Sequence, residues 1–210
     1  MAFRGFAKKD FQTFTINGLD NRMEAIRERI QPKFQTIGDA LIDDLSTLTG
    51  YEMNLHIAQH ARRTVNPPND TWMAFCHNKR GYKQHPHFQI GLFDDHLFVW
   101  LAYIYELPNK KEMAESFLHH IDDIENTIPT NYVVSLDHMK KDATTLKDLD
   151  LKKSLERFRD VKKAEFLIGK HFPADEAILK DGKAFLNDVK NTFETLTPIY
   201  KLSMSEALIK

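Results

Sequence analysis

The sequence predicts an α+β fold, a mostly antiparallel central sheet with helices from both ends of the chain packed on it. Three observations carry this expectation. Apolar residues recur every three or four positions near both ends, the period of a helix with one buried face. Residues 52–105 switch to runs in which apolar and polar positions alternate or apolar residues dominate, the pattern of strands. The connections that join the runs from 71 to 105 are too short for a parallel crossover, which needs a dozen or more residues. The chain has no internal repeat, low-complexity tract or Gly/Ser linker, so all 210 residues are expected to form a single domain, 1–210.

In order along the chain, FQTFTI (11–16) alternates and reads as a short strand. Asn17-Gly18 then turns the chain, and Asp20 is placed to cap the helix after it. Met23, Ile26, Ile30, Phe34, Ile37, Leu41, Leu45 and Leu48 give one long helical face, with a break or kink expected at Pro32 and an end at Gly50. Met53, Leu55 and Ile57 mark a strand with one wet face, followed after NPPND by strands at 71–77, 87–93 and 97–105. Asp94-Asp95 makes the last two a hairpin. A helix carried by Met113, Phe117, Ile121 and Ile124 starts at Pro108-Asn109 and stops before Pro129. YVVSL (132–136) and AEFLIG (164–169) read as strands. Leu151, Leu155 and Phe158 mark a short helix, and Phe185, Val189, Phe193, Leu196 and Tyr200 mark a last one.

Composition excludes several classes. Lys and Arg number 29 against 30 Asp and Glu, a net charge of -1, so the protein does not coat nucleic acid by bulk charge. The longest apolar run, Leu97 to Tyr105, is too short to cross a bilayer, and no membrane partner is expected. The start MAFRGFAKK has no apolar signal region, and the one cysteine, Cys76, has no internal disulfide partner, so a cytoplasmic protein is expected. No two glycines make GxGxxG or a P-loop, and no GxSxG, HExxH, CxxC or EF-hand pattern occurs, so no cofactor is expected.

One window stands out. Between His56 and His87 lie Arg62, Arg63, Lys79, Arg80 and Lys83 against one acid, Asp70, in a chain that is otherwise balanced. The basic residues fall where loops are expected. Arginine forks match phosphate or carboxylate oxygens two at a time, and lysine adds a point charge. Trp72 and Tyr82 offer stacking faces beside them. Arg62, Arg63, Arg80, Lys83, His60, His87, Trp72 and Tyr82 are therefore the candidate ligand-binding residues. The bland reading is that these are solvated loop charges or ion pairs with the helix acids Asp39, Asp43, Asp44, Asp122, Asp123 and Glu125.

The same window raises a metal site as a sharper alternative. Pro86 holds His85 and His87 extended, which could aim both imidazoles one way, yet no carboxylate but Asp70 is near in sequence to complete a shell. Cys76 reads as a buried, inert thiol, and neighbouring strand residues such as Cys76 and His77 face opposite ways, which disfavours a dyad. His119-His120 suits the end of a helix dipole. A hairpin turn and an exposed helix face account for Asp94-Asp95 and Asp122-Asp123.

GFAKKDFQTFTINGLDNRMEAIRERIQPKF, HARRTVNPPNDTWMAF and KRGYKQHPHFQIGLF resemble the YktB-like family of small bacterial proteins, an uncharacterised family with a domain of unknown function. The likeness covers nearly the whole chain and implies one α+β domain in the cytosol, with no activity attached. The family pattern carries leucine where this chain has His85 (GYKxLPHF), which tells against an HxH metal site; His60 and His87 fall on the pattern.

Three functions remain, in this order. The first is binding of a small anionic, phosphorylated ligand by Arg62, Arg63, Arg80 and Lys83. The second is nucleic-acid binding by the same residues, with Trp72 and Tyr82 stacking on bases, against which the pI near 6.8 weighs. The third is a protein-interaction domain with an acidic partner. The sequence is silent on catalysis and on oligomeric state.

Overall fold

The computed structural model describes residues 2–207. Seven strands form one sheet, β1 (Asn54–Ile57), β2 (Thr71–Cys76), β3 (His87–Leu92), β4 (His96–Tyr103), β5 (Val133–Ser135), β6 (Thr144–Thr145) and β7 (Phe166–Pro173). Their order across the sheet is β1-β2-β3-β4-β7-β5-β6, and every pairing is antiparallel. The α+β expectation therefore holds, with the sheet built outward from 52–105. Only β6, too short to carry a pattern, was not visible in the sequence.

Alternation sorts the strand residues into two faces. Met73, Phe75, Phe88, Ile90, Val99, Leu101, Tyr103 and Ile168 lie on one, buried under α3 (Gln31–Thr49), α4 (Lys110–His119), α6 (Leu151–Asp160) and α7 (Gly182–Ala207). Aromatic contacts tie these layers together. Phe193 of α7 packs on Phe75 and Phe88, while Phe117 of α4 and Phe158 of α6 pack on Tyr103. The first long helix and the last pack on each other, and the Phe6 N–H donates to the Leu179 carbonyl at 2.6 Å, so both ends of the chain close on the same core. Gly169 lets β7 approach β4: a Cβ there would lie 1.9 Å from the Val99 carbonyl oxygen.

The N-terminal segment departs from expectation. Residues 11–16 are not a strand; α1 (Lys8–Phe11) runs into a 3-10 turn over Gln12–Thr15. Phe11 and Phe14, three apart, both turn into the core, and the fully buried Asp10 accepts from the Ala7 N–H at 2.6 Å and from Lys33 Nζ at 2.5 Å. These tertiary contacts override the alternation. Asp20 sits within the first turn of α2 (Leu19–Ala25), whose N-cap is Gly18. The helix then widens into a π-helical turn over Ile26–Ile30 before α3, the distortion falling just ahead of Pro32, which has no N–H to give back to that turn. Gly50 ends α3 at φ 80°, a left-handed conformation that suits glycine. Beyond α4, α5 (Ile121–Thr127) continues the helical run to the edge of Pro129.

The second face of the sheet carries Phe98, Trp100, Ala102 and Leu167, with Trp72 packed against them. It also carries an unusual polar row, His56, His87 and Gln89 among others, over which the connecting loops fold. Among the described residues no helix is long and apolar enough to cross a membrane.

Candidate functional site

The basic window folds into a cleft on this second face. The loop from β1 to β2 brings His60, Arg62 and Arg63 to one side of a cavity of about 450 Å³. The β2–β3 loop leaves the other end of β2, yet it folds back across the face, so that Tyr82 and Lys83 form the opposite wall. Trp72 provides the floor between them. Six of the eight residues singled out from sequence thus line one cavity, together with Glu106 and Met139.

Tyr82 fixes this arrangement. Trp72 Nε1–H donates to its hydroxyl at 2.8 Å, and its ring packs edge-on against His87 at 4.9 Å and tilted against His56 at 5.5 Å. His56 Nε2 lies 3.0 Å from the Asn78 carbonyl and so donates to it, which holds the loop down. His60, at φ 50°, takes a left-handed conformation uncommon outside glycine, and its Nε2 lies 3.0 Å from Thr71 Oγ1 while its ring stands edge-on to Trp72. Burial, with Arg63 nearby, pulls its pKa down to about 4, so the imidazole is neutral at pH 7.

Two of the eight residues stand elsewhere. Arg80 lines a neighbouring cavity of about 480 Å³, divided from the first by Tyr82, Lys83 and Glu106. His87 is completely buried behind Tyr82. Its Nδ1–H donates to the His85 carbonyl at 2.7 Å and its Nε2 accepts from Gln89 Nε2 at 3.0 Å, leaving no nitrogen for a ligand. Burial drives its pKa down to about 4 despite the hydrogen bond to the carbonyl. His87 therefore supports the wall and does not touch the cavity. The same bonds separate the His85–His87 pair; the His85 ring packs against His77 at 4.7 Å. Cys76 is buried, and burial raises its pKa to about 11, which keeps the thiol protonated.

The cleft is electropositive at its rim and acidic beneath. Among the described residues no carboxylate lies within ion-pair distance of Arg62, Arg63 or Arg80; Arg63 Nη1 instead donates to the Asn66 carbonyl at 3.3 Å. Lys83 faces Glu106 at 3.7 Å across an exposed gap. Under the loop, Asp70 is only 3% exposed, and burial raises its pKa to about 6 although His138 and Arg63 pull the other way.

His138 belongs to a second cavity, of about 530 Å³, which meets the first at Met139, a residue common to both linings. Its backbone N–H donates to Glu165 Oε2 at 2.8 Å, and its Nδ1 lies 2.8 Å from both Glu165 oxygens. Burial lowers the His138 pKa, but the Glu165 hydrogen bond and charge, with Asp70 beyond, outweigh it and leave the value raised. Sequence reasoning missed His138 and Glu165. The available signal was Glu165 itself, an acid inside the strand-like AEFLIG, where a charge needs an explanation.

A family profile described as a domain of unknown function, DUF1054, matches residues 6–200. The chain belongs to the DUF1054 family. It is 62% identical over 200 residues to a UPF0637 protein of Oceanobacillus iheyensis, covering 95% of this chain and 97% of that one. A UPF0637 protein of Shouchella clausii is 60% identical over 205 residues, covering 98% of this chain and 97% of its own. One from Listeria monocytogenes is 49% identical over 204 residues, covering 97% of this chain and all of its own. These matches agree with the resemblance to an uncharacterised bacterial family, and the DUF1054 relatives bring no activity with them.

Proposed function

We propose that the cleft binds a small anionic ligand, most simply a phosphorylated one, and that the protein does so in the cytoplasm. The observation that supports this reading is the pair Arg62 and Arg63, without a carboxylate in ion-pair distance among the described residues, lining the same cleft as Lys83. Guanidinium groups held at the mouth of a cavity bind phosphate oxygens in pairs, and the Trp72–Tyr82 corner gives an attached ring something to stack on. A cleft of about 450 Å³ has room for a metabolite or a single nucleotide, whereas a long strand tracks an extended basic groove. The single, buried Cys76 fits a reducing compartment.

The test is a thermal-shift screen of phosphorylated metabolites, nucleotides and short oligonucleotides against wild type and Arg62→Ala/Arg63→Ala, at two salt concentrations. A ligand at about one hundred times its Kd stabilises the fold by about 2.7 kcal/mol, and the double variant should lose that shift. Binding that survives moderate salt supports the small ligand. A steep linear loss in log–log salt supports nucleic acid instead. A shift that persists in the double variant refutes the site.

A further inference from the structure

Glu165 is a carboxylate only 3% exposed, a position that is costly unless positive charge lies beside it. It accepts from the His138 N–H and Nδ1 at 2.8 Å and from the Tyr105 N–H at 3.4 Å, the charge of Lys110 also acts on it, and Asp137, one residue before His138, adds a second negative group. We propose that Asp137, His138 and Glu165 form a binding site for a divalent transition-metal cation. One donor atom from each residue lies within 4.8 Å of the other two, close enough to converge on a single ion after small side-chain adjustment.

The backbone prepares these donors. Asp137 and His138 come just after β5, where Ser135 Oγ donates to the Asp137 carbonyl at 3.1 Å and fixes the turn. Glu165 immediately precedes β7, the strand paired with β5, so the sheet brings together residues 27 positions apart in sequence. Asp137 Oδ1 accepts the Met139 N–H at 3.0 Å, and its other oxygen lies 3.7 Å from Lys140 Nζ on the surface. His138 Nδ1 lies 2.8 Å from the Glu165 oxygens, a hydrogen-bond distance that has to open by about 0.5 Å for both groups to share one tetrahedral ion. There the cation replaces the proton shared between imidazole and carboxylate.

The donor set names the chemical class. Two hard carboxylates with one borderline imidazole suit zinc, manganese, iron or cobalt, whereas calcium and magnesium prefer oxygen alone. Two acids and a neutral imidazole also balance a double positive charge. Three protein ligands leave positions open toward the cavity of about 530 Å³, where water or a ligand oxygen has room. The site does not depend on the arginine cleft.

The experiment uses full-length protein stripped with a chelator and titrated calorimetrically with Mn²⁺, Co²⁺ and Zn²⁺ at constant pH. One equivalent is expected to bind saturably, with the visible spectrum of the Co²⁺ form showing a nitrogen donor. His138→Gln and Asp137→Asn should each weaken binding more than about 100-fold, since even outer-shell changes cost 10–100-fold. Asp137 is partly exposed, so its variant keeps the test informative if His138→Gln fails to fold. Asp122→Asn/Asp123→Asn and Arg62→Ala/Arg63→Ala should bind like wild type. Absence of saturable one-equivalent binding to wild type, or unchanged affinity in Asp137→Asn, overturns the assignment.

Discussion

Replacing Asp70 with asparagine should stabilise the protein near pH 8 and do far less near pH 4. The folded carboxyl titrates at about 6 against 3.8 for the unperturbed side chain, a rise caused first by burial. That difference is about 2 pK units, and at 1.36 kcal/mol per unit it corresponds to roughly 3 kcal/mol. The direction follows from proton uptake. Below pH 3.8 both states hold the proton and the carboxyl costs nothing. As pH rises from about 4 to about 6 the unfolded chain ionises first, so the folded state loses stability, and above 6 the loss is complete. Asparagine keeps the shape without the charge. The stability of Asp70→Asn minus that of wild type should therefore grow by roughly 3 kcal/mol between pH 4 and pH 8. For a domain of this size that is a change of about 6–12 °C in Tm. Urea unfolding at both pH values, with chelator present, measures it directly. A difference that stays flat with pH, or turns against the variant at pH 8, would show that Arg63 and His138 outweigh burial and hold Asp70 as a paired anion.

Other positions give sharp outcomes. His87 behaves oppositely: with a folded pKa of about 4 it stays neutral while the unfolded chain takes up a proton below 6.5, so stability falls as pH drops through that interval, and His87→Gln should flatten this slope by roughly 3 kcal/mol in acid titrations of unfolding. Lys110 Nζ donates to the Val161, Lys162 and Ala164 carbonyls at 2.6, 2.9 and 3.1 Å after α6, so Lys110→Met should cost about 2–4 kcal/mol in denaturant unfolding. Gly169→Ala drives a methyl into the Val99 carbonyl and should cost about 3 kcal/mol, with amide exchange quickening along the β4–β7 pairing before the rest of the sheet. Tyr82→Phe removes the acceptor for Trp72 and should cost about 1 kcal/mol of stability, with a larger proportional loss of ligand affinity in the same thermal-shift assay.

The parts of this fold that were legible in the sequence are those whose burial is one-sided and regular. Phe185, Val189, Phe193, Leu196 and Tyr200 are all buried in α7 as their spacing implies, and the apolar runs at 71–77, 87–93 and 97–105 became β2, β3 and β4 in adjacent order. The failure at 11–16 has a physical cause. Local alternation there competes with a buried ion pair to Lys33, 23 residues away, which no short window can contain. The site divides along the same line. A charge count along one stretch singled out Arg62, Arg63 and Lys83, which line one cavity because one loop and its neighbour supply them. It placed His87 among the ligands, since composition does not reveal that both ring nitrogens are already bonded. It could not join His138 to Glu165, because only the β5–β7 pairing makes them neighbours.

The packing of α3 against α7 also has a consequence during synthesis. The apolar stripe from Phe34 to Leu45 leaves the ribosome early, while the helix that covers it starts at Gly182. At about 5–20 residues per second the nascent chain carries that stripe without its partner for roughly 7–27 seconds. The central strands emerge meanwhile and have the same uncovered helix side. Folding of this core waits for α7, and a nascent chain stalled before Gly182 would be a substrate for chaperones and proteases.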